Sequence, residues 1–162
     1  MLFLSGALAL IALSGLLGAR WNRSSSYPIG LYWRVDKKPE KGDLVRVKIP
    51  DLPIVKTARA RGYFSYNGQI FLLKRLVATE GDEVSIGPKG VFVDGKFINN
   101  SRPLERDAQG RPLVEHYMDH EILKPSEVLL LSEHSAESFD SRYFGPVTTE
   151  PIVEVVRPVL TF

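Results

Sequence analysis

The order of apolar and polar positions splits the chain into two unequal regions. Met1 to Ala19 holds no charged residue and is dominated by Leu, Ala, Phe and Ile. A helix needs ~20 such residues to cross a bilayer core of ~30 Å, so the pattern predicts a single membrane-spanning anchor over 1–19. Small residues at Ser14, Gly15, Gly18 and Ala19 also fit a cleaved secretory signal, and a buried core helix is the third reading. No Lys or Arg precedes the run, whereas Arg20 and Arg23 follow it. By the positive-inside rule those two cations favour a cytoplasmic C-terminal part. The chemistry further along argues for the other side of the membrane, and a basic segment upstream of Met1 would reconcile the two.

From Tyr32 onward the periodicity shortens. Apolar segments of strand length run Leu44 to Ile49, Gln69 to Ala78, Glu83 to Ile86, Val91 to Val93, Val128 to Leu131 and Ile152 to Val156. Turn signals at Pro39 to Asp43, Thr79 to Asp82, Asp94-Gly95 and Gly145-Pro146 separate them. Asp94-Gly95 lies between Val91-Phe92-Val93 and Lys96-Phe97-Ile98, which predicts a two-residue hairpin. Residues 99–126 are rich in Arg, Pro, Asp and Gly, and are expected to form an insertion with little core. The fold class that follows is mostly β and antiparallel, one domain over 20–162.

Composition narrows the function classes. The chain has 162 residues, 44% hydrophobic and 25% charged, which is ordinary for a folded domain. Twenty-one Lys and Arg against 19 Asp and Glu leave a net charge of +2, too mild to argue for nucleic acid. There are no cysteines, which removes disulfides, thiolate metal sites and a cysteine nucleophile.

Three segments hold residues able to do chemistry. Directly after the apolar run, Ser24, Ser25 and Ser26 meet Pro28 and Gly30, which favour a tight turn. A serine held there is a possible nucleophile, and a polar linker leaving the bilayer has the same composition. In Phe71-Leu72-Leu73-Lys74-Arg75-Leu76-Val77-Ala78, two cations interrupt an apolar strand. With side chains alternating, Lys74 shares a face with Leu72 and Leu76, and Arg75 shares the other with Leu73 and Val77. One cation must point inward. Burial lowers a lysine pKa by up to ~3 to 5 units, and a neutral amine can take a serine's proton. The alternative is an edge-strand lysine that keeps its charge in water. Third, Ser138-Phe139-Asp140-Ser141-Arg142-Tyr143-Phe144-Gly145-Pro146 closes on a turn, with Asp140 and Arg142 spaced for an ion pair that either shapes a site or sits exposed.

In this order the segments resemble the type I signal peptidase superfamily, and within it the TraF-like conjugative-transfer peptidases. Ser26-Tyr27-Pro28-Ile29-Gly30-Leu31-Tyr32 is similar to the family's Ser-x-Pro-x-Gly-Leu-Tyr nucleophile box. Lys41-Gly42-Asp43-Leu44-Val45, Leu73 to Ala78 with Gly81-Asp82, and Phe139 to Gly145 resemble its later boxes, and Arg61-Gly62-Tyr63 resembles a stretch of the TraF branch. The resemblance implies Ser26 as nucleophile, Lys74 as general base, Asp140 as an acidic residue supporting the lysine with Arg142 beside it, and Ser24 as an oxyanion-side hydroxyl. It implies no metal or other cofactor. Ser25, three residues before Pro28, has the spacing of the general signal peptidases and remains the alternative register. The cysteines that some relatives carry around Arg59 to Gln69 are missing here.

The implied activity is that of a serine endopeptidase anchored in a bacterial inner membrane, with its domain in the periplasm. Its substrate would be an exported precursor, such as a conjugative pilin, released as a linear or a cyclised product. A general preprotein peptidase, a non-catalytic assembly subunit of a secretion channel, and an autocleaving repressor-type protein are the rivals; no DNA-binding helix-turn-helix precedes the domain to support the last. His116 and His120, with Asp119 and Glu121, suit a metal pair only if helical, and lack the His-Glu-x-x-His pattern. His134 near Asp140 invites a Ser-His-Asp triad that Lys74 makes unnecessary. Lys56, Arg59 and Arg61 form a basic patch suited to solvent or to anionic membrane lipid.

Overall fold

The computed structural model describes residues 17–64 and 71–162. Most of the expected anchor over 1–19, and Gln69 and Ile70 of the lysine-bearing segment, lie outside the described residues. Among the described residues no helix is long and apolar enough to cross a membrane.

The chain forms strands β1 (Ala19–Asn22), β2 (Gly30–Val35), β3 (Leu44–Lys48), β4 (Phe71–Ala78), β5 (Glu83–Gly87), β6 (Gly90–Val93), β7 (Lys96–Phe97), β8 (Met118–Ile122), β9 (Glu127–Leu131), β10 (Val147–Thr148) and β11 (Ile152–Thr161). Helix α1 (Pro53–Ala60) follows β3, and the one-turn helix α2 (Ser141–Phe144) follows β9. Seven strands make one sheet in the order β1-β2-β11-β3-β4-β9-β10, and four make a second in the order β7-β6-β5-β8. Every pairing is antiparallel.

Both faces of the larger sheet are covered, which explains why β4 reads as a nearly continuous apolar run. On one face Val77, Ala78, Leu129 and Leu131 meet Val84, Ile86, Val91 and Val93 of the smaller sheet. On the other, Val45, Val47, Leu76 and Leu130 pack under Val55 of α1 and Phe144 of α2. A third cluster, Tyr27, Tyr32, Leu44, Leu73 and Val156, sits at the β1–β2 end.

The Asp94-Gly95 hairpin forms between β6 and β7, with Val93 opposite Lys96. Both central residues have positive φ, 49° and 72°, the geometry that matches the twist of the flanking strands. The insertion is less empty than its composition suggests. Residues 118–122 pair with β5, and Met118 and Leu123 enter the core, because two apolar side chains suffice to seat one strand on an existing sheet edge. His120 therefore lies on a strand, not a helix, bonded through Nδ1 to Glu83 at 2.8 Å. His116 packs instead against Gly145.

Gly30, at the start of β2, has φ of 148°, and a Cβ there would fall 2.1 Å from the Leu160 carbonyl oxygen of β11. A side chain has no room between these two backbones. Gly30→Ala is expected to destabilise the fold by about 1–3 kcal/mol, read as a lower denaturant midpoint in urea unfolding.

Candidate active site

The three serines occupy the loop 23–29 that joins β1 to β2, whose last paired residues are Asn22 and Gly30. Several side chains hold this loop against the sheet. Tyr32 donates its hydroxyl to the Pro28 carbonyl at 2.8 Å, and Ser132, at the end of β9, donates its hydroxyl to the Ser26 carbonyl. Inside the loop, the two N–H groups of Asn22 Nδ2 are shared among the carbonyls of Ser24, Tyr27 and Pro28 at 3.0, 3.0 and 3.1 Å.

Lys74 is the inward cation of β4. Its register opposite Val45 of β3 sends the side chain to the same face as Leu72 and Leu76, and it is 1% exposed. Nζ lies 3.1 Å from Ser26 Oγ and 2.5 Å from Ser138 Oγ, and the two hydroxyls are 3.3 Å apart. Burial lowers the Lys74 pKa from its ordinary value to about 8; nearby Asp140 opposes the shift and Arg142 adds to it. A neutral lysine amine has two N–H donors and one lone pair, so it can donate to Ser138 while accepting the Ser26 proton. Such an arrangement can convert a serine hydroxyl into a nucleophile at mildly alkaline pH.

Asp140 does not touch the lysine. Its side chain caps α2, accepting from the Arg142 backbone N–H, and takes Arg142 Nε at 2.8 Å and the Ser132 N–H at 3.0 Å. The Arg142 guanidinium is fully buried, and every one of its donors is used. Besides Asp140 Oδ1 and Oδ2 it reaches the carbonyls of Asn100, Ala136 and Ser132 at 2.8 to 3.0 Å. Ser141 Oγ accepts from the Leu130 N–H, fixing α2 to β9. Asp140 and Arg142 thus support the site through backbone placement of Ser132 and Ser138, and through their charges at a distance.

A cavity of about 420 Å³ opens beside Ser26 and Lys74. Ser24, Ser25, Ser26, Lys74 and Ser138 line it, opposite Tyr63, Phe139, Tyr143 and the 104–113 loop. Tyr63 and Arg111 both donate to Asp107 Oδ2, at 2.7 and 2.6 Å, and Arg61 donates to the Pro112 carbonyl at 2.9 Å. These bonds turn part of the insertion into a wall. Arg61 therefore leaves the expected basic patch, where Lys56 pairs with Asp51 and Arg59 lies over Phe64.

Ser24 faces the same cavity, with its hydroxyl donated to Asn22 Oδ1 at 3.0 Å. His134 stacks on Tyr27. Sequence reasoning gave no role to Ser138, Ser132 or Asn22. Ser138 had a usable signal, a small hydroxyl two residues before Asp140 in the same turn; the other two had none. Breaking the buried ion pair is expected to be costly: Arg142→Ala should lower unfolding free energy by about 3–5 kcal/mol in chemical denaturation, since it strands a buried carboxylate.

Comparison with known proteins gives the family. The family described as signal peptidase, peptidase S26, matches residues 1–160. A plasmid transfer protein TraF of Escherichia coli is 41% identical over 160 residues, covering 96% of this chain and 90% of that protein. A conjugal transfer protein TraF of Agrobacterium tumefaciens strain 15955 is 35% identical, covering 100% and 96%. The chloroplastic thylakoidal processing peptidase 1 of Arabidopsis thaliana is 34% identical over 117 residues, 72% of this chain and 31% of that protein. A crystal structure of a signal peptidase I from Enterococcus faecalis V583 aligns at a TM-score of 0.44 with 19% identity, covering 75% of this chain and 98% of that chain. The chain belongs to the signal peptidase family, peptidase S26, among its TraF-like members.

Proposed function

We propose that this chain is a serine endopeptidase that processes an exported precursor during conjugation, with Ser26 as nucleophile and Lys74 as general base. The observation that carries the reading is a fully buried lysine, its pKa lowered to about 8, with Nζ 3.1 Å from a serine hydroxyl at the edge of an open cavity. The names of the TraF relatives support the link to conjugation, and a pilin precursor is the substrate proposed. The work would take place at the periplasmic face of the inner membrane, with the segment over 1–19 as anchor.

Lys74 takes the Ser26 proton as Oγ adds to the scissile carbonyl. The tetrahedral intermediate collapses when the ammonium returns that proton to the leaving amine, which leaves an ester on Ser26. Ser138 accepts from the Lys74 amine and keeps its lone pair on Ser26. Lys74 then removes a proton from the incoming water, or from an amine, and returns it to Ser26 Oγ as the ester breaks to give an acid or a new amide. Attack by the substrate's own α-amine yields a cyclic product one water lighter than the linear one. Backbone N–H groups of the loop would face the oxyanion, where one donor is worth ~10² to 10³ in rate; the Ser24 hydroxyl, donated to Asn22 Oδ1, would have to turn from that partner to join them.

Purified wild type, Ser26→Ala and Lys74→Ala, each mixed with a pilin precursor and followed by intact mass, test this. Wild type should release a defined segment. Lys74→Ala should lose about 10²–10⁴-fold in rate, and Ser26→Ala should be inactive. Equal processing by all three would remove the dyad, and Ser25→Ala distinguishes the register by leaving Ser26 in place.

The pH profile has a definite sign. The ammonium form of Lys74 has no lone pair, so kcat/KM should fall as pH drops below about 8 and level off above it. Asp140 raises the Lys74 pKa, so Asp140→Asn, where it folds, should move that acid limb to lower pH in the same assay.

A further inference from the structure

We propose that Asn22 is the positioning residue of the nucleophile loop, a role that rests on the peptidase reading above. It touches no reacting atom and acts through the backbone on either side of Ser26. Asn22 closes β1 opposite Gly30, so its side chain stands at the neck of the loop 23–29. Nδ2 meets three carbonyl oxygens, those of Ser24, Tyr27 and Pro28, within 3.1 Å. Oδ1 accepts from the Ser24 N–H at 3.1 Å and from the Ser24 hydroxyl at 3.0 Å.

The orientation of this amide follows from its partners. Turning it over would aim Oδ1 at three carbonyl oxygens, all acceptors, so the N–H groups must face them. Oδ1 therefore faces Ser24, whose hydroxyl must be the donor in that bond. One side chain thus ties together Ser24, immediately before the Ser25-Ser26 pair, and Tyr27-Pro28, immediately after it. Elsewhere the loop is held by Tyr32 on the Pro28 carbonyl and by the Phe162 N–H on the Ile29 carbonyl. Ser26 is otherwise held by Ser132 on its carbonyl, and by Lys74 and, at 3.3 Å, Ser138 on its hydroxyl. The Lys74 bond is consumed in the reaction, because the Ser26 proton leaves along it. What keeps Oγ aimed during attack is the backbone, and Asn22 makes more bonds to that backbone than any other side chain in the described structure.

The test uses the full chain and a pilin precursor, comparing wild type with Asn22→Ala and Asn22→Asp. Asn22→Asp keeps the size and the acceptor facing Ser24, but sets a carboxylate oxygen against three carbonyls. A displaced nucleophile lowers kcat by about 10²-fold in both variants. KM should stay within about threefold of wild type in both variants, and in Asn22→Ala, which adds no charge, the acid limb near pH 8 should not move, because the Lys74 surroundings on β4 are untouched. Each variant is assayed below its own unfolding transition. The inference is overturned if kcat stays within about threefold in both variants. It also falls if the loss is in KM alone, if the acid limb shifts in Asn22→Ala, or if neither variant shows an unfolding transition, since Asn22 would then serve the fold rather than the nucleophile. Wild type and Ser26→Ala run alongside keep the two failures apart. A wild type that leaves the precursor intact, or a Ser26→Ala that cuts it, removes the peptidase reading and this inference with it; a normal pair of controls with active Asn22 variants removes the inference alone.

Discussion

The site depends on keeping one amine out of water. Lys74 is 1% exposed, and an ammonium in that position has lost its hydration without gaining a carboxylate in contact. Its two hydrogen-bond partners are neutral hydroxyls, Ser26 and Ser138. Desolvation therefore dominates, and the base form becomes accessible near pH 8. Were Asp140 moved into direct contact, the charged form would be stabilised and the amine would stop being a base at neutral pH. The carboxylate is instead occupied elsewhere.

That occupation is the task of Arg142. A buried ion pair offsets its desolvation only when every donor and acceptor is satisfied. Here the five N–H donors of the guanidinium find Asp140 and three backbone carbonyls, from Asn100, Ala136 and Ser132. These partners come from three separate stretches of chain, so one side chain fixes the relative positions of the β6–β8 insertion, the end of β9 and the turn before α2. Ser132 and Ser138, which hold the Ser26 carbonyl and the Lys74 amine, lie on two of them. An arginine suits the position because a lysine has three donors and no planar fork.

Much of this was legible in the sequence, for local reasons. The period-two alternation of β5 and β6 is set by which side chains meet the facing sheet, and Asp94-Gly95 supplies the two positive φ values its turn requires. Alternation showed that one cation of β4 must point inward but gave each an apolar face, so the choice between Lys74 and Arg75 came from the resemblance and from the register with β3. Residues 118–122 were not legible: the pattern is polar on its outer face, and only the sheet edge of β5 makes it a strand. Ser132 and Asn22 were silent for a related reason. Each acts through a loop that lies across the fold or closes on itself, and neither contact leaves a spacing rule in the chain. The Asp140–Arg142 ion pair was legible from the spacing of the two residues, whereas the bond from the Ser132 N–H to Asp140 was not.

The choice of base comes down to strand register. Arg75 follows Lys74, and a one-residue slip of β4 would exchange the two faces. A guanidinium in the Lys74 position could not give up its proton in the accessible pH range, so in the proposed mechanism the slipped chain would leave Ser26 without a base. Several contacts oppose that slip. Leu76 is buried among Val45, Val47 and Leu130, and the register opposite β3 pairs Val45 with Lys74 and Val47 with Leu72. On the other face Arg75 is met by polar partners at the rim, donating to the Gly42 carbonyl at 2.6 Å and pairing with Glu133 at 2.7 Å. The slipped register would bury Arg75 beside Val45 and expose Leu76, losing apolar burial and stranding a charge at once. Packing on both faces of one strand thus selects lysine over arginine as the group beside Ser26.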